Sequence, residues 1–186
     1  MNGIACQQVS LNNGITMMSR IALRWGRAFP SHKGDARAFP LPRDLASADI
    51  GSLRAMGLSF KKARALIGCA RACSEGRFSG QELSTMDDEA ARDALDALWG
   101  VGAWTAEYVL LRGLGWLHIF PEADSGALKG LRRLLAQGQT GLTPGTHAVQ
   151  PVPEKAKQLL ARWQPYAGLV YFHLLLLRLE REGLLE

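Results

Sequence analysis

Two features of the chain have residue types and spacing suited to chemistry. The first is the run Leu98-Trp99-Gly100-Val101-Gly102-Ala103-Trp104-Thr105-Ala106, where two glycines flank one apolar residue. Glycines let the backbone turn tightly while Val101 plugs inward. The amides of Gly102 and Ala103 then open a new helix, and a helix N-terminus binds anions through its N–H groups and its dipole. The same run also reads as a plain turn between two packed helices. The second feature is Asp124, in Phe120-Pro121-Glu122-Ala123-Asp124-Ser125-Gly126. The pair suggests a backbone clamp for a phosphate and an acid placed beside it. Asp124 also suits a helix cap, and Glu122 is the rival carboxylate.

The elements that must carry these residues are helical, because apolar positions recur at helical spacing and strand-type alternation is nearly absent. A first helix is expected from at or before Ile4 toward Trp25, with the Pro/Gly-rich segment Phe29 to Pro42 breaking the pattern. Leu53 to Met56 closes a short helix, Gly57 stops it, and Ser59 caps the next, from about Lys61 to Cys73. A helix over Asp87 to Trp99 has Asp87, Asp88 and Glu89 at the positive end of its dipole, and its partner runs from Trp104 to Gly113. Further helices are expected over Ser125 to Ala136, Glu154 to Trp163 and Tyr166 to Glu180, with a Gly/Thr/Pro loop from Gly138 to Pro153. Gly57 and Gly100 to Gly102 both join helix pairs, without any repeat of solenoid type. The fold class expected is all-α.

A chain of 186 residues, 47% of them hydrophobic, buries a sizeable core as one domain or two lobes. Its formal net charge of +5 favours polyanionic partners. Cys6, Cys69 and Cys73 form neither a disulfide framework nor a metal-type cluster, which points to a reducing compartment. Cys69 and Cys73 share a helix face, as packed thiols also do. The apolar run Ala167 to Leu177 is too short to span a bilayer and contains His173, and no signal peptide is visible. A cytoplasmic protein without membrane contact, and a monomer, is expected.

Gln7-Gln8-Val9-Ser10, the Met56-Gly57-Leu58 turn with Lys61-Lys62-Ala63-Arg64, and the Gly100-to-Ala106 hairpin follow one another in order. After them come Tyr108, Arg112-Gly113, Phe120-Pro121 with Asp124, and Trp163-Gln164-Pro165-Tyr166. In order and spacing these resemble the helix-hairpin-helix (HhH-GPD) DNA glycosylases, and most of all their 3-methyladenine DNA glycosylase II branch. The resemblance covers nearly the whole chain. It implies a two-lobed fold, with a helical barrel-like lobe over residues 1–115 and a smaller helical lobe over 116–186, and an active-site cleft between them. It also implies helices ahead of Gln7, so the smaller lobe is short of at least one helix.

The resemblance assigns roles residue by residue. Asp124 takes the place of the catalytic acid: departure of a base builds positive charge on the deoxyribose, which a fixed carboxylate stabilises, or the carboxylate orients the attacking water. Gln8 takes the wedge position that fills the gap left by a flipped nucleotide, an extrusion the chemistry requires; capping a neighbouring turn is its other reading. Gly57, Gly100, Gly102 and Ala103, with Lys61 and Lys62, are expected to hold DNA phosphates. Arg64 and the Arg132-Arg133 pair would add contacts, although such charge runs also occur as solvated helix faces. The backbone carbonyls of Asp96, Leu98 and Val101 are expected to bind a monovalent cation, Na+ or K+.

Trp104 stands where bifunctional relatives carry a Schiff-base lysine, so no strand-cleaving lyase activity is expected. Trp104 and Tyr108 lie one helical turn apart and can offer one stacking face to a cationic alkylated base, or pack as core. His173 and Leu175 complete the expected base pocket; Leu175 departs from relatives that place a tryptophan there, and His173 also reads as a structural histidine. The four-cysteine pattern of some relatives is missing, so no iron–sulfur cluster and no required cofactor are expected. The function implied is a monofunctional DNA N-glycosylase that releases alkylated purines of the 3-methyladenine type from double-stranded DNA in base excision repair. The alternatives are a non-catalytic hairpin DNA-binding protein or truncated inactive relative, which would bind duplex DNA without releasing bases, and a helical protein-interaction domain, indifferent to both DNA and salt.

Overall fold

The computed structural model describes residues 2–32, 34–137 and 154–183. The loop expected over Gly138 to Pro153 lies outside them. The chain divides into two compact units, Met1–Ala106 and Glu107–Glu186. The boundary falls inside a helix, Ala103–Gly113, rather than in a linker.

The first unit carries helices α1 (Asn2–Ala5), α2 (Leu11–Trp25), α3 (Pro42–Ala46), α4 (Ile50–Ala55), α5 (Phe60–Ser74), α6 (Gly80–Leu83), α7 (Asp88–Asp96) and the start of α8 (Ala103–Gly113). Their starts are written in the sequence as short polar caps. Ser10, Asp49, Ser59, Ser79 and Asp87 each accept a hydrogen bond from an amide three residues on, at Asn13, Ser52, Lys62, Glu82 and Ala90. Each such cap contributes about 1 kcal/mol. Helix α5 is the spine of this unit. Its buried Ala63, Leu66, Ile67 and Ala70 pack with Met17 and Ile21 of α2, Leu45 of α3 and Leu53 of α4. Ala65 and Cys69, on another side of α5, pack with Ile4 of α1. Tight helix packing here depends on alanines, which let neighbouring backbones approach.

Two expectations are corrected. The first helix is not continuous: α1 ends at Ala5, and α2 starts only at Leu11 behind its Ser10 cap. Between them Gln8 takes a left-handed conformation with φ 51°, which no helix interior tolerates. The Phe29 to Pro42 segment is not merely a break, because Ala28–Ser31 (β1) and Gly34–Arg37 (β2) form a two-stranded antiparallel ribbon pairing Ala28 with Arg37 and Ser31 with Gly34. Every residue of β1 is exposed, so no buried-exposed alternation could have signalled it. The fold remains predominantly helical.

The second unit contains the rest of α8, then α9 (Ser125–Gln137), α10 (Glu154–Arg162) and α11 (Ala167–Arg181), with α9 packed against both α10 and α11. The start of α11 lies hard against the segment after α8. The Gly168 amide donates to the Leu117 carbonyl at 2.6 Å, and a Cβ on Gly168 would fall 2.5 Å from Leu111 Cδ1 and 2.6 Å from the Ile119 carbonyl oxygen. Only glycine fits there, three residues ahead of Tyr171. Among the described residues, no helix is long and apolar enough to cross a membrane.

Candidate functional site

The glycine turn joins α7 to α8. Gly100 has φ +85°, and a Cβ on it would sit 2.5 Å from the Ala65 Cβ, so both its conformation and its closeness to α5 demand glycine. Val101 and Leu98 pack on the Ile4, Ala65 and Cys69 cluster, as the inward plug requires. The Val101 amide donates to the Leu98 carbonyl at 3.0 Å and closes the turn. Gly102 and Ala103 are exposed at the start of α8, with space around the missing Gly102 side chain. The hairpin thus displays its amides at the N-terminus of an eleven-residue helix, the geometry expected of an anion clamp.

A second turn of similar build joins α4 to α5. Gly57 has φ +106°, Leu58 is buried behind it, and Ser59 caps α5. Lys61 and Arg64 are exposed on the first turns of α5, and the Arg64 guanidinium lies 4.5 Å over the ring of Trp99, itself 48% exposed beside the glycine turn. Lys62 corrects the expectation of a phosphate contact. Its ammonium turns inward and donates to the carbonyls of Ala5 at 3.0 Å and Gln7 at 2.5 Å. Burial pushes it below the ordinary lysine range, with Cys6 opposing the shift.

Gln8 is exposed at the tip of the turn between α1 and α2. Its left-handed backbone costs a non-glycine residue about 1 kcal/mol and persists only where its flanks are held. The holding group is its neighbour, Gln7, whose side-chain amide donates to the Gly100 carbonyl at 3.1 Å and to the Thr105 hydroxyl at 2.7 Å. Gln7 carries the resemblance but no expected role, and nothing in its type or spacing told it from Gln8.

In the second unit, Asp124 caps α9. Its Oδ1 accepts from the amides of Gly126 at 2.8 Å and Ala127 at 2.9 Å, while Oδ2 accepts from the Tyr171 hydroxyl at 2.9 Å. The cap reading and the reactive reading are therefore not exclusive: one oxygen is fixed by the helix, and the other is oriented by a phenol. Asp124 is partly exposed, whereas Glu122 is exposed. Tyr171 is 5% exposed, and its ring lies edge-on to Phe120 at 6.1 Å and to Phe172 at 5.9 Å. The sequence offered one available signal for it, since a tyrosine on a buried helix face needs a partner for its hydroxyl.

Tyr108 is half-buried on α8. The Arg112 guanidinium donates to its hydroxyl at 2.6 Å and lies 5.3 Å from its ring centroid and 6.0 Å from that of Phe172. This aromatic face already attracts a cation. Trp104, one turn earlier on α8, is also half-buried. His173 corrects the expected pocket. It is exposed, and at about 100° per residue it points away from the Tyr171 face of α11 that meets Asp124. Leu175, four residues after Tyr171, lies on the Tyr171 side and is half-buried.

Comparison with known proteins shows the family of the chain. The profile described as HhH-GPD superfamily base excision DNA repair protein matches residues 1–162. The Bacillus subtilis (strain 168) protein YfjP, provisionally named a DNA-3-methyladenine glycosylase, is 30% identical over 174 residues, covering 94% of this chain and 56% of YfjP. DNA-3-methyladenine glycosylase 2 of Escherichia coli (strain K12) is 30% identical over 171 residues, 90% of this chain and 52% of the relative. The solved structure of a 3-methyladenine DNA-glycosylase from Archaeoglobus fulgidus is similar with a TM-score of 0.75 at 27% identity, covering 94% of this chain and 55% of that one. The chain spans about half the length of the curated relatives it matches. With that profile matching residues 1–162, which hold the hairpin and Asp124, the chain belongs to the HhH-GPD superfamily of base excision DNA repair proteins.

Proposed function

We propose that this chain is a monofunctional DNA N-glycosylase that releases alkylated purines of the 3-methyladenine type from double-stranded DNA, leaving an abasic site. The observation that carries the reading is Asp124, a partly exposed carboxylate with one oxygen fixed by two α9 amides and the other by Tyr171. In the reaction the bond between C1′ and the purine nitrogen breaks with its electron pair leaving on the base. Positive charge grows on the sugar, and water adds to C1′ and passes its proton to the Asp124 carboxylate or to solvent. A carboxylate held in one orientation stabilises that charge without reorganising at the moment of reaction. Alkylation makes the purine cationic and a better leaving group, so the protein needs to supply only part of the acceleration.

The remaining parts follow from elements already described. The exposed amides of Gly102 and Ala103 would hold a backbone phosphate, which fixes register and reads no sequence. Gln8 would fill the gap left by the extruded nucleotide, since neither base edge nor glycosidic bond is reachable inside the duplex. Trp104 on α8 would stack against a cationic base, an attraction of about 0.5–2 kcal/mol, while Tyr108 one turn on is engaged by the Arg112 guanidinium. The carbonyls of Asp96, Leu98 and Val101 would ligate Na+ or K+. Leu98 fits this role, because its oxygen already accepts the Val101 amide and retains a second lone pair. Such an ion would stiffen the hairpin and take no part in bond cleavage.

The test is chromatography of free bases released from methylated duplex DNA, run on the chain and on Asp124→Asn. Release of 3-methyladenine by the chain alone, with equal duplex binding by both, supports the reading. Duplex binding without release assigns the chain instead to hairpin-mediated DNA binding. A covalent adduct trapped with borohydride would contradict the monofunctional assignment.

A further inference from the structure

Three segments distant in sequence meet at one point of the first unit. They are the turn carrying Gln8, the first turn of α5, and the glycine hairpin. Lys62 reaches from α5 to the main chain of the turn, donating to the Ala5 and Gln7 carbonyls. Gln7 reaches from the turn to the hairpin, donating to the Gly100 carbonyl and to the hydroxyl of Thr105, which is 3% exposed. Both amide hydrogens of Gln7 are thereby used, one on the hairpin and one on the first turn of α8. Beneath them Ile4, Ala65 and Cys69 pack with Leu98 and Val101, and Gly100 approaches Ala65 too closely for any side chain. The connection is short, and a half-buried side chain makes each end of it. Gln8, immediately after Gln7, is exposed in its left-handed conformation.

We propose that Gln7 and Lys62 are positioning residues that couple the hairpin to Gln8, so that seating of the hairpin on a backbone phosphate and entry of Gln8 into the base stack occur in one register. This rests on the glycosylase reading above. If the hairpin moves when it takes a phosphate, the Gly100 carbonyl moves with it, and Gln7 transmits that displacement to Gln8. Lys62 keeps the other side of the turn from yielding. Without the coupling, the hairpin still binds and Gln8 is left to find the stack by itself.

The experiment uses duplex DNA with 2-aminopurine beside a methylated purine, so that fluorescence reports unstacking, together with single-turnover base release and duplex affinity. The variants are Gln7→Glu, which replaces the donating amide nitrogen and its two hydrogens with a carboxylate oxygen that only accepts, Gln8→Ala, and the two combined. Gln7→Glu is expected to bind duplex like the wild type and to lose about tenfold in unstacking and release, the loss of roughly two neutral hydrogen bonds. The double variant should be no worse than Gln8→Ala alone, because the coupling has nothing to act on once the wedge is gone. A merely structural role would add its own loss to the double variant. Gln7→Asn, which keeps the amide but withdraws it by one methylene, must show the same selective loss if Gln7→Glu fails to fold. Wild-type unstacking in a folded Gln7 variant, or losses that multiply with Gln8→Ala, would overturn the coupling. A wild-type chain with neither unstacking nor release would overturn the glycosylase reading and the coupling with it, whereas an active wild type with an impaired Gln8→Ala and unaffected Gln7 variants overturns the coupling alone.

Discussion

Asp124 shows how one carboxylate serves the fold and the chemistry together. Its Oδ1 caps α9 through two amides, and an asparagine carbonyl can make the same cap, which is why Asp124→Asn is expected to stay folded while losing the charge. Its Oδ2 depends on Tyr171. Removing that hydroxyl with Tyr171→Phe leaves the ring packing against Phe120 and Phe172 intact but takes away a hydrogen bond to a charged group, worth about 1.5–3 kcal/mol. The rate of base release should therefore fall by about tenfold or more, with affinity for an abasic-site duplex unchanged, as single-turnover kinetics and fluorescence anisotropy would measure. Asp124 was legible in the sequence because it stands just ahead of a helix at the place the resemblance gives to the catalytic acid, which set it above Glu122. Tyr171 was not, because it meets Asp124 across a gap of 47 positions, and only the rotation of α11 decides which face it turns inward.

At the scale of elements, the two glycines of the hairpin have different physical reasons to be glycine. Gly100 has a positive φ and a neighbour at 2.5 Å from any Cβ. Gly100→Ala should cost about 2–4 kcal/mol of stability, combining backbone strain with overpacking against α5. Gly102 has nothing within 4 Å of its missing side chain and no positive φ. Gly102→Ala should cost about 1 kcal/mol or less, the difference between glycine and alanine at a helix N-cap. If the hairpin amides hold a phosphate, this same variant weakens duplex binding, because the added methyl stands where the backbone must approach the anion. Urea unfolding and a binding titration on the two variants separate the fold's glycine from the ligand's. The starts of α5 and α7 were legible, because Ser59 and Asp87 announce them chemically, whereas Ser10, Asp49 and Ser79 cap starts that spacing alone did not place. The break between α1 and α2 was harder to see: the apolar spacing continues through it, and only Gln8's backbone reverses.

For the whole molecule, a formal charge of +5 makes association with a polyanion salt-dependent, and the slope of that dependence counts the phosphates neutralised. Lys61 and Arg64 are exposed on α5, so replacing both with alanine should lower the slope of log K against log salt by about 2. Replacing Lys62 should leave the slope unchanged, since its ammonium is held by the carbonyls of Ala5 and Gln7. A salt titration by anisotropy distinguishes these outcomes. By composition alone the three cations of this stretch are equivalent. The sequence by itself determined the helical class, the starts of α5 and α7 and the hairpin, because those depend on local preference and on spacing within a few residues, while the order of motifs along the chain pointed to Asp124 as the candidate acid. Tertiary structure alone decided that Lys62 turns inward, that His173 faces away from Asp124, that Tyr171 holds Asp124, and that Gln7 rather than Gln8 grips the hairpin. Each of these is a choice of partner between groups far apart in the chain, and such choices depend on how helices rotate and how closely they pack, which side-chain type and spacing do not encode.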